Sequence, residues 1–210
     1  MRTQEQVNEI VRLLMEEYPL ADCTLDWKAY ELLFSVRLAA QCTDERVNKI
    51  TPALFARFPT LEAFAEADVA EVEEYVRSCG FYHSKARDIV ACANVLLEKY
   101  GGELPRTMEE LTALPGVGRK TANLILGDVF KIPGSTVVDT HCIRISNRLG
   151  LVDDLKDPVK IEMELRKILP PEHSSDFCHC IVLHGRAVCI ARRPECERCC
   201  VRHLCRHYSG

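Results

Sequence analysis

The sequence predicts an all-α protein, and three observations predict it. Apolar residues recur at three- and four-residue spacings in segment after segment. Alternating apolar and polar runs, the mark of a half-buried strand, are almost absent. The breaks between segments are short and carry Pro, Gly and Ser/Thr/Asp/Asn chemistry. Helices are expected over 3–17, 27–41, 44–56, 60–66, 69–78, 83–99, 107–113, 119–130, 140–149, 157–168 and 174–186. The first has an apolar face formed by Val7, Ile10, Val11, Leu13 and Leu14. "YPLADC", "FPT", "YGGELP", "KIPGST" and "LPPEHS" supply the turns. Thr60 suits a helix N-cap, but Ala63 stands where a capping box needs Glu or Gln. Thr107 with Glu110 does match the box.

With 47% hydrophobic and 28% charged residues, the chain has enough apolar material for a packed core, so disorder is excluded as the default. A 7% aromatic content argues against a surface built mainly of base-stacking platforms. The net charge of −4 is unevenly spread. Leu61–Tyr75 carries six acids and no Lys or Arg, whereas six Arg follow from Arg186 onward against Glu195 and Glu197. A local basic patch bears on nucleic-acid binding more than the total does, although a solvated basic tail reads the same way. The charged N-terminus does not look like a signal peptide and no apolar run approaches a membrane span, so a cytoplasmic protein is expected. Its twelve Cys are then not a disulfide framework.

"LPGVGRKTANLIL" (114–126) is the first motif with chemical content. Gly116 and Gly118 permit positive φ and leave no Cβ in the way of an approaching group. The helix that follows offers unpaired N–H groups and a positive dipole end, so the turn can hold a phosphate without reading a base. An ordinary helix corner has the same sequence. Lys120 lies where the dipole disfavours a cation, and partial burial would act in the same sense. Both raise the neutral, nucleophilic fraction of the amine. A plain surface lysine or a phosphate contact is the competing explanation. Further on, Asp139 precedes the helix that contains Ile143, Ile145 and Leu149. It reads as an N-cap and, compatibly, as a carboxylate held at a cleft. His141, Arg144 and Arg148 face either phosphate or solvent.

The strongest metal signal is "CIARRPECERCCVRHLC", in which Cys189, Cys196, Cys199 and Cys205 give C-x6-C-x2-C-x5-C. Structural zinc sites favour two short-spaced pairs; four thiolates in one segment suit an iron–sulfur cluster, although the ferredoxin spacing differs. Cys200 is a spare that could replace Cys199. Cys23, Cys42, Cys79, Cys92, Cys142, Cys178 and Cys180 read as small buried hydrophobes.

Taken together, "AAQCTDERVNK" (39–49), "GFYHSKARDI" (80–89), "LPGVGRKTAN" (114–123), "VVDTHCIRISNRLGL" (137–151), "LHGRAVC" (183–189) and the cysteine run resemble the endonuclease III family, the iron–sulfur DNA glycosylases/AP lyases of the helix–hairpin–helix superfamily. The resemblance spans nearly the whole chain. It implies two helical domains flanking a DNA-binding cleft: a bundle domain over 23–132 with the helix–hairpin–helix, and a discontinuous domain of 1–22 plus 133–210. The latter would carry a C-terminal [4Fe-4S] cluster on Cys189, Cys196, Cys199 and Cys205. It further implies that Lys120 and Asp139 are catalytic and that the substrate is double-stranded DNA containing damaged pyrimidines or abasic sites. Gln41 matches the residue that fills the gap left by a flipped base. Phe81 stands where the family usually has an aliphatic wedge, a departure bearing on opposite-base preference. Gly116, Val117, Gly118, Arg119, His141, Arg144, Arg192 and Arg193 are the remaining DNA-contact candidates. A nucleoid-associated monomer in base excision repair follows. Two other readings stay open: a mismatch adenine glycosylase, which lacks the lysine and carries a further C-terminal domain, and a non-catalytic DNA-binding iron–sulfur module.

Overall fold

The computed structural model describes residues 2–22 and 29–209, with no strand among them. It contains twelve α-helices among these residues. The expected start of the second helix at 27, and Cys23, lie outside the described residues. The chain divides into two compact units, Thr24–Phe130 and Met1–Cys23 with Lys131–Gly210.

The middle unit holds α2 (Ala29–Ala39), α3 (Asp44–Arg57), α4 (Leu61–Ala65), α5 (Val69–Val76), α6 (Tyr82–Tyr100), α7 (Met108–Thr112) and α8 (Arg119–Leu124). α6 runs against α4 and α5, and α2 against α3 and α6. Phe64, brought in by the short α4, centres the core, with ring centroids of Phe34 and Phe58 at 5.1 Å and of Phe55 at 6.0 Å. Burying such a cluster of rings removes a large apolar area from water. The expected helix over 119–130 changes pitch: α8 passes at Leu124 into a π-helical turn, Ile125–Val129. α2 stops at Ala39, short of the expected 41, because the chain turns through a left-handed Gln41 (φ 56°) and Cys42 N–H bonds back to Ala39 O at 3.0 Å. Such a left-handed residue is a common way to end a helix.

The other unit is built on α1 (Gln4–Glu17), α9 (Thr140–Leu149), α10 (Pro158–Ile168), α11 (Ser174–Ala187) and α12 (Arg206–Ser209). The stripe Val7, Ile10, Val11 and Leu14 is buried, and α1 packs on α11, which also packs on α9. This apolar stripe joins the N-terminal helix to the last third of the chain. The capping chemistry is partly as expected. Thr60 caps α4 alone, accepting from Ala63 N–H. Thr107 caps α7, but the Glu110 carboxylate accepts from the Thr107 hydroxyl at 2.7 Å, so the reciprocal box is not completed. The complete box is at Thr3 and Gln6.

Candidate active site and cysteine-rich loop

The hairpin begins where α7 ends. Leu114 N–H bonds to Leu111 O at 3.1 Å and Val117 N–H to Leu114 O at 3.2 Å, which folds "LPGV" back on itself. The Val117 side chain is buried, and its amide is spent inside the turn, so it is not available to a phosphate. Only Gly116 is left-handed (φ 73°); Gly118 is extended (φ −95°, ψ 173°). The two glycines therefore serve different ends. A Cβ on Gly116 would lie 2.7 Å from Arg37 Nε and 2.8 Å from Asp88 Cβ. Arg37 and Asp88 form a half-buried ion pair, Nε to Oδ2 2.8 Å, on which the hairpin rests. Spacing gave no sign of this pair, whose partners are 51 positions apart. A Cβ on Gly118 would meet nothing within 4 Å. Gly118 is the N-cap of α8 and no side chain caps this end, so the first amides of the helix face outward. Arg119 is half-buried, and Lys120 is exposed rather than partly buried as the sequence led one to expect.

Gln41 and Phe81 are both exposed and are two of the four non-glycine residues with positive φ among the described residues; Phe81 has φ 60° and an exposure of 69%. A left-handed non-glycine residue costs about 1–2 kcal/mol, a strain that tends to collect at working surfaces. Lys85 N–H and Ser84 Oγ donate to Phe81 O at 3.1 and 2.9 Å, fixing the backbone beneath the ring.

In the other unit Asp139 is the N-cap of α9, its Oδ1 accepting from Cys142 N–H at 2.7 Å. The buried run Ser135–Val138 precedes it and holds it at a fixed place. Arg144 and Arg148 are occupied elsewhere. Arg144 donates to Cys189 O (Nη2, 3.0 Å) and Gly185 O (3.2 Å). Arg148 donates to Ile190 O (2.9 Å), Ala191 O (2.7 Å) and Cys189 Sγ (3.3 Å). Both guanidiniums thus organise the start of the cysteine-rich loop. His141 is half-buried with Nδ1 3.2 Å from Arg144 Nη2, against the bare backbone of Gly185, where a Cβ would collide with the imidazole. Arg192 and Arg193 stand exposed in the loop.

Cys189, Cys196, Cys199 and Cys205 line one shared cavity; Cys200 is not among its lining residues. No three His, Cys, Asp or Glu side chains among the described residues close about a point as they would around a single ion. Four thiols around a shared space are a donor set suited to a metal centre. The surroundings also suit sulfur ligands. Burial pushes the Cys199 thiol up to about 12, so a neighbouring cation is needed to ionise it at neutral pH. His184, which the sequence did not single out, has Nε2 3.4 Å from Cys199 Sγ and Nδ1 3.0 Å from Tyr18 Oη. Burial pushes His184 down to about 4 and Tyr18 up to about 12, so the imidazole is neutral and the phenol keeps its proton. Tyr18 then donates to Nδ1, leaving Nε2–H to donate to the sulfur.

A model of the HhH-GPD superfamily of base excision DNA repair proteins matches residues 34–171. The chain is 46% identical to endonuclease III of Synechocystis over 96% of this chain and 92% of that one. It is 40% identical to endonuclease III of Escherichia coli over 95% and 94%. The chain belongs to the endonuclease III family. A solved structure of a trapped endonuclease III–DNA covalent intermediate superposes with a TM-score of 0.91 at 40% identity, covering 100% of this chain and 98% of that one. A thermostable thymine-DNA glycosylase, at 22% identity and a TM-score of 0.87, shares the fold. No helix among the described residues is long and apolar enough to cross a membrane.

Proposed function

We propose that this chain, a DNA glycosylase/lyase of base excision repair, removes damaged pyrimidines from double-stranded DNA and cleaves abasic sites as a monomer. Lys120 is the nucleophile and Asp139 its acid–base partner. The observation that carries the reading is an exposed amine in the first turn of an uncapped helix, directly after the hairpin, in a chain that superposes along its length on a covalently trapped DNA complex.

The uncapped amides of α8 and the open face of Gly118 take a phosphate. The damaged nucleotide leaves the stack, at a cost that damage itself lowers. Gln41 fills the vacated place and the Phe81 ring wedges beside it. Lys120 Nζ attacks C1′ and the base departs with its bonding electrons. Asp139 stabilises the positive charge that develops and takes up the proton released by the amine. The sugar ring opens to a Schiff base; loss of a C2′ proton then expels the 3′ phosphate, and hydrolysis frees the lysine. Arg192 and Arg193 add phosphate contacts. Cys189, Cys196, Cys199 and Cys205 would hold a [4Fe-4S] cluster, which would cross-link the loop that carries those two arginines; Arg148 and His184 donate hydrogen bonds to the sulfurs of Cys189 and Cys199.

Borohydride trapping tests the assignment. The wild-type protein should become covalently linked to abasic or thymine-glycol DNA, and Lys120→Ala should give no linkage. Trapping that persists in Lys120→Ala would transfer the role to another amine. Absence of trapping in the wild type would favour a monofunctional adenine glycosylase or a binding module.

A further inference from the structure

Outside the cysteine-rich loop, two thiols meet between the turns that bear Gln41 and Phe81. Cys42 follows Gln41 in the α2–α3 turn, and Cys79, whose N–H bonds to Val76 O at 2.9 Å, lies two residues before Phe81. The two side chains are close enough for the Cys42 thiol to act on Cys79. Cys79 is fully buried, whereas Cys42, expected to be buried, is half-exposed, so the two residues differ in what an oxidant can reach. The turns touch through backbone as well: a Cβ on Gly80 would stand 3.7 Å from Gln41 O. The buried Lys85 adds a third tie, its Nζ donating to Leu38 O at 2.9 Å, with its charge acting on both sulfurs.

We propose that Cys42 and Cys79 form a dithiol oxidation site for small disulfide compounds, and that the closed form clips the Gln41 turn to the Phe81 turn and weakens DNA binding. The effect on DNA rests on the proposed roles of Gln41 and Phe81; the oxidation itself does not. The Cys42 thiolate attacks one sulfur of the small disulfide, forming a mixed disulfide and releasing one thiol. The Cys79 thiolate then attacks Cys42 Sγ and releases the second. Two protein thiols lose two electrons and two protons, and the small disulfide is reduced to two thiols. The half-exposed Cys42 meets the oxidant before the buried Cys79; burial pushes Cys79 up to about 11, while the nearby Lys85 and Arg46 charges favour its thiolate. Closing the bond draws the sulfurs to about 2.0 Å. The bond ties the two turns in one relation, and each presents its proposed DNA-probing side chain from a left-handed residue whose direction follows any backbone change. The comparable pair Cys142 and Cys178 has both sulfurs buried and offers an oxidant no exposed partner.

The test uses the full-length protein, incubated with oxidised glutathione while its visible absorption is followed. Alkylation, proteolysis and mass spectrometry should then identify a Cys42–Cys79 cross-linked peptide. It should vanish on reduction and be absent from Cys42→Ala and Cys79→Ala. Affinity for a duplex with an abasic-site analogue should fall roughly tenfold on oxidation, the scale of one lost anchor side chain, and recover on reduction. Neither Ala variant should respond. Glutathionylated Cys42 with no cross-link, or a cross-link mapped elsewhere, overturns the site. A cross-link without loss of affinity overturns the clip. In that event reduced Phe81→Ala identifies the failed step: weak binding by this variant leaves the wedge role intact, and normal binding shows that the role of Phe81 has failed.

Discussion

Gly116→Ala and Gly118→Ala form a matched pair in which identical chemistry should have opposite outcomes. At Gly116 the added methyl has two costs. Holding alanine at φ 73° costs about 1–2 kcal/mol. The methyl also lands 2.8 Å from Asp88 Cβ and 2.7 Å from Arg37 Nε. Asp88 Cβ is rooted in the α6 backbone and Arg37 is held by the ion pair, so neither moves away freely. Overpacking of this kind costs about 1–3 kcal/mol. The sum, about 2–5 kcal/mol, lowers Tm by roughly 4–20 °C in a chain of this length. At Gly118 the backbone is extended and the space open, so alanine is neutral or stabilising by up to about 1 kcal/mol through the unfolded chain. Its methyl instead occupies the approach to the α8 amides. Thermal melts with fluorescence anisotropy on an abasic-analogue duplex separate the effects. Gly116→Ala should melt early; Gly118→Ala should melt at or a few degrees above the wild-type temperature and bind DNA more weakly. A wild-type melt for Gly116→Ala would refute the packing argument, and undiminished binding by Gly118→Ala would refute the phosphate role.

Asp139→Asn should keep the α9 cap and the wild-type melt while slowing single-turnover base release, whereas Asp139→Ala should also lose about 1 kcal/mol of stability; equal melts for Asn and Ala variants would remove Asp139 as a cap. Lys85 has its folded pKa lowered by burial below the ordinary 10.5. The unfolded chain therefore holds a proton that the folded chain lacks between those two values, and stability relative to Lys85→Met rises with pH across that window. Urea midpoints of both proteins, measured up to the ordinary lysine value, should diverge accordingly; a constant difference would mean that Lys85 does not titrate on folding. Arg148→Met deletes hydrogen bonds to Ile190 O, Ala191 O and Cys189 Sγ and should cost about 1–3 kcal/mol, with less iron bound per chain by metal analysis. Wild-type iron content would mean that the loop forms without it.

The elements were legible because each rests on a local pattern. The stripe Val7, Ile10, Val11 and Leu14 specifies α1, and the oxygen of Asp139 specifies the start of α9, whatever surrounds them. The motif residues were legible for the same reason: a hairpin, a lysine after it and four cysteines are neighbours in sequence. What stayed hidden was set by packing between distant segments. The difference between Gly116 and Gly118 exists only because Arg37 and Asp88, from two other helices, lie beneath one glycine and not the other. Arg144 and Arg148 look like phosphate contacts on a helix face, yet the carbonyls of residues 185 and 189–191 take up their hydrogen bonds. A guanidinium near a loop of unpaired carbonyls is satisfied there before any ligand arrives, so a basic side chain counts toward DNA binding only once those acceptors are accounted for. By that measure the exposed Arg192 and Arg193 keep their place among the phosphate candidates, and Arg144 and Arg148 are counted as groups that shape the loop.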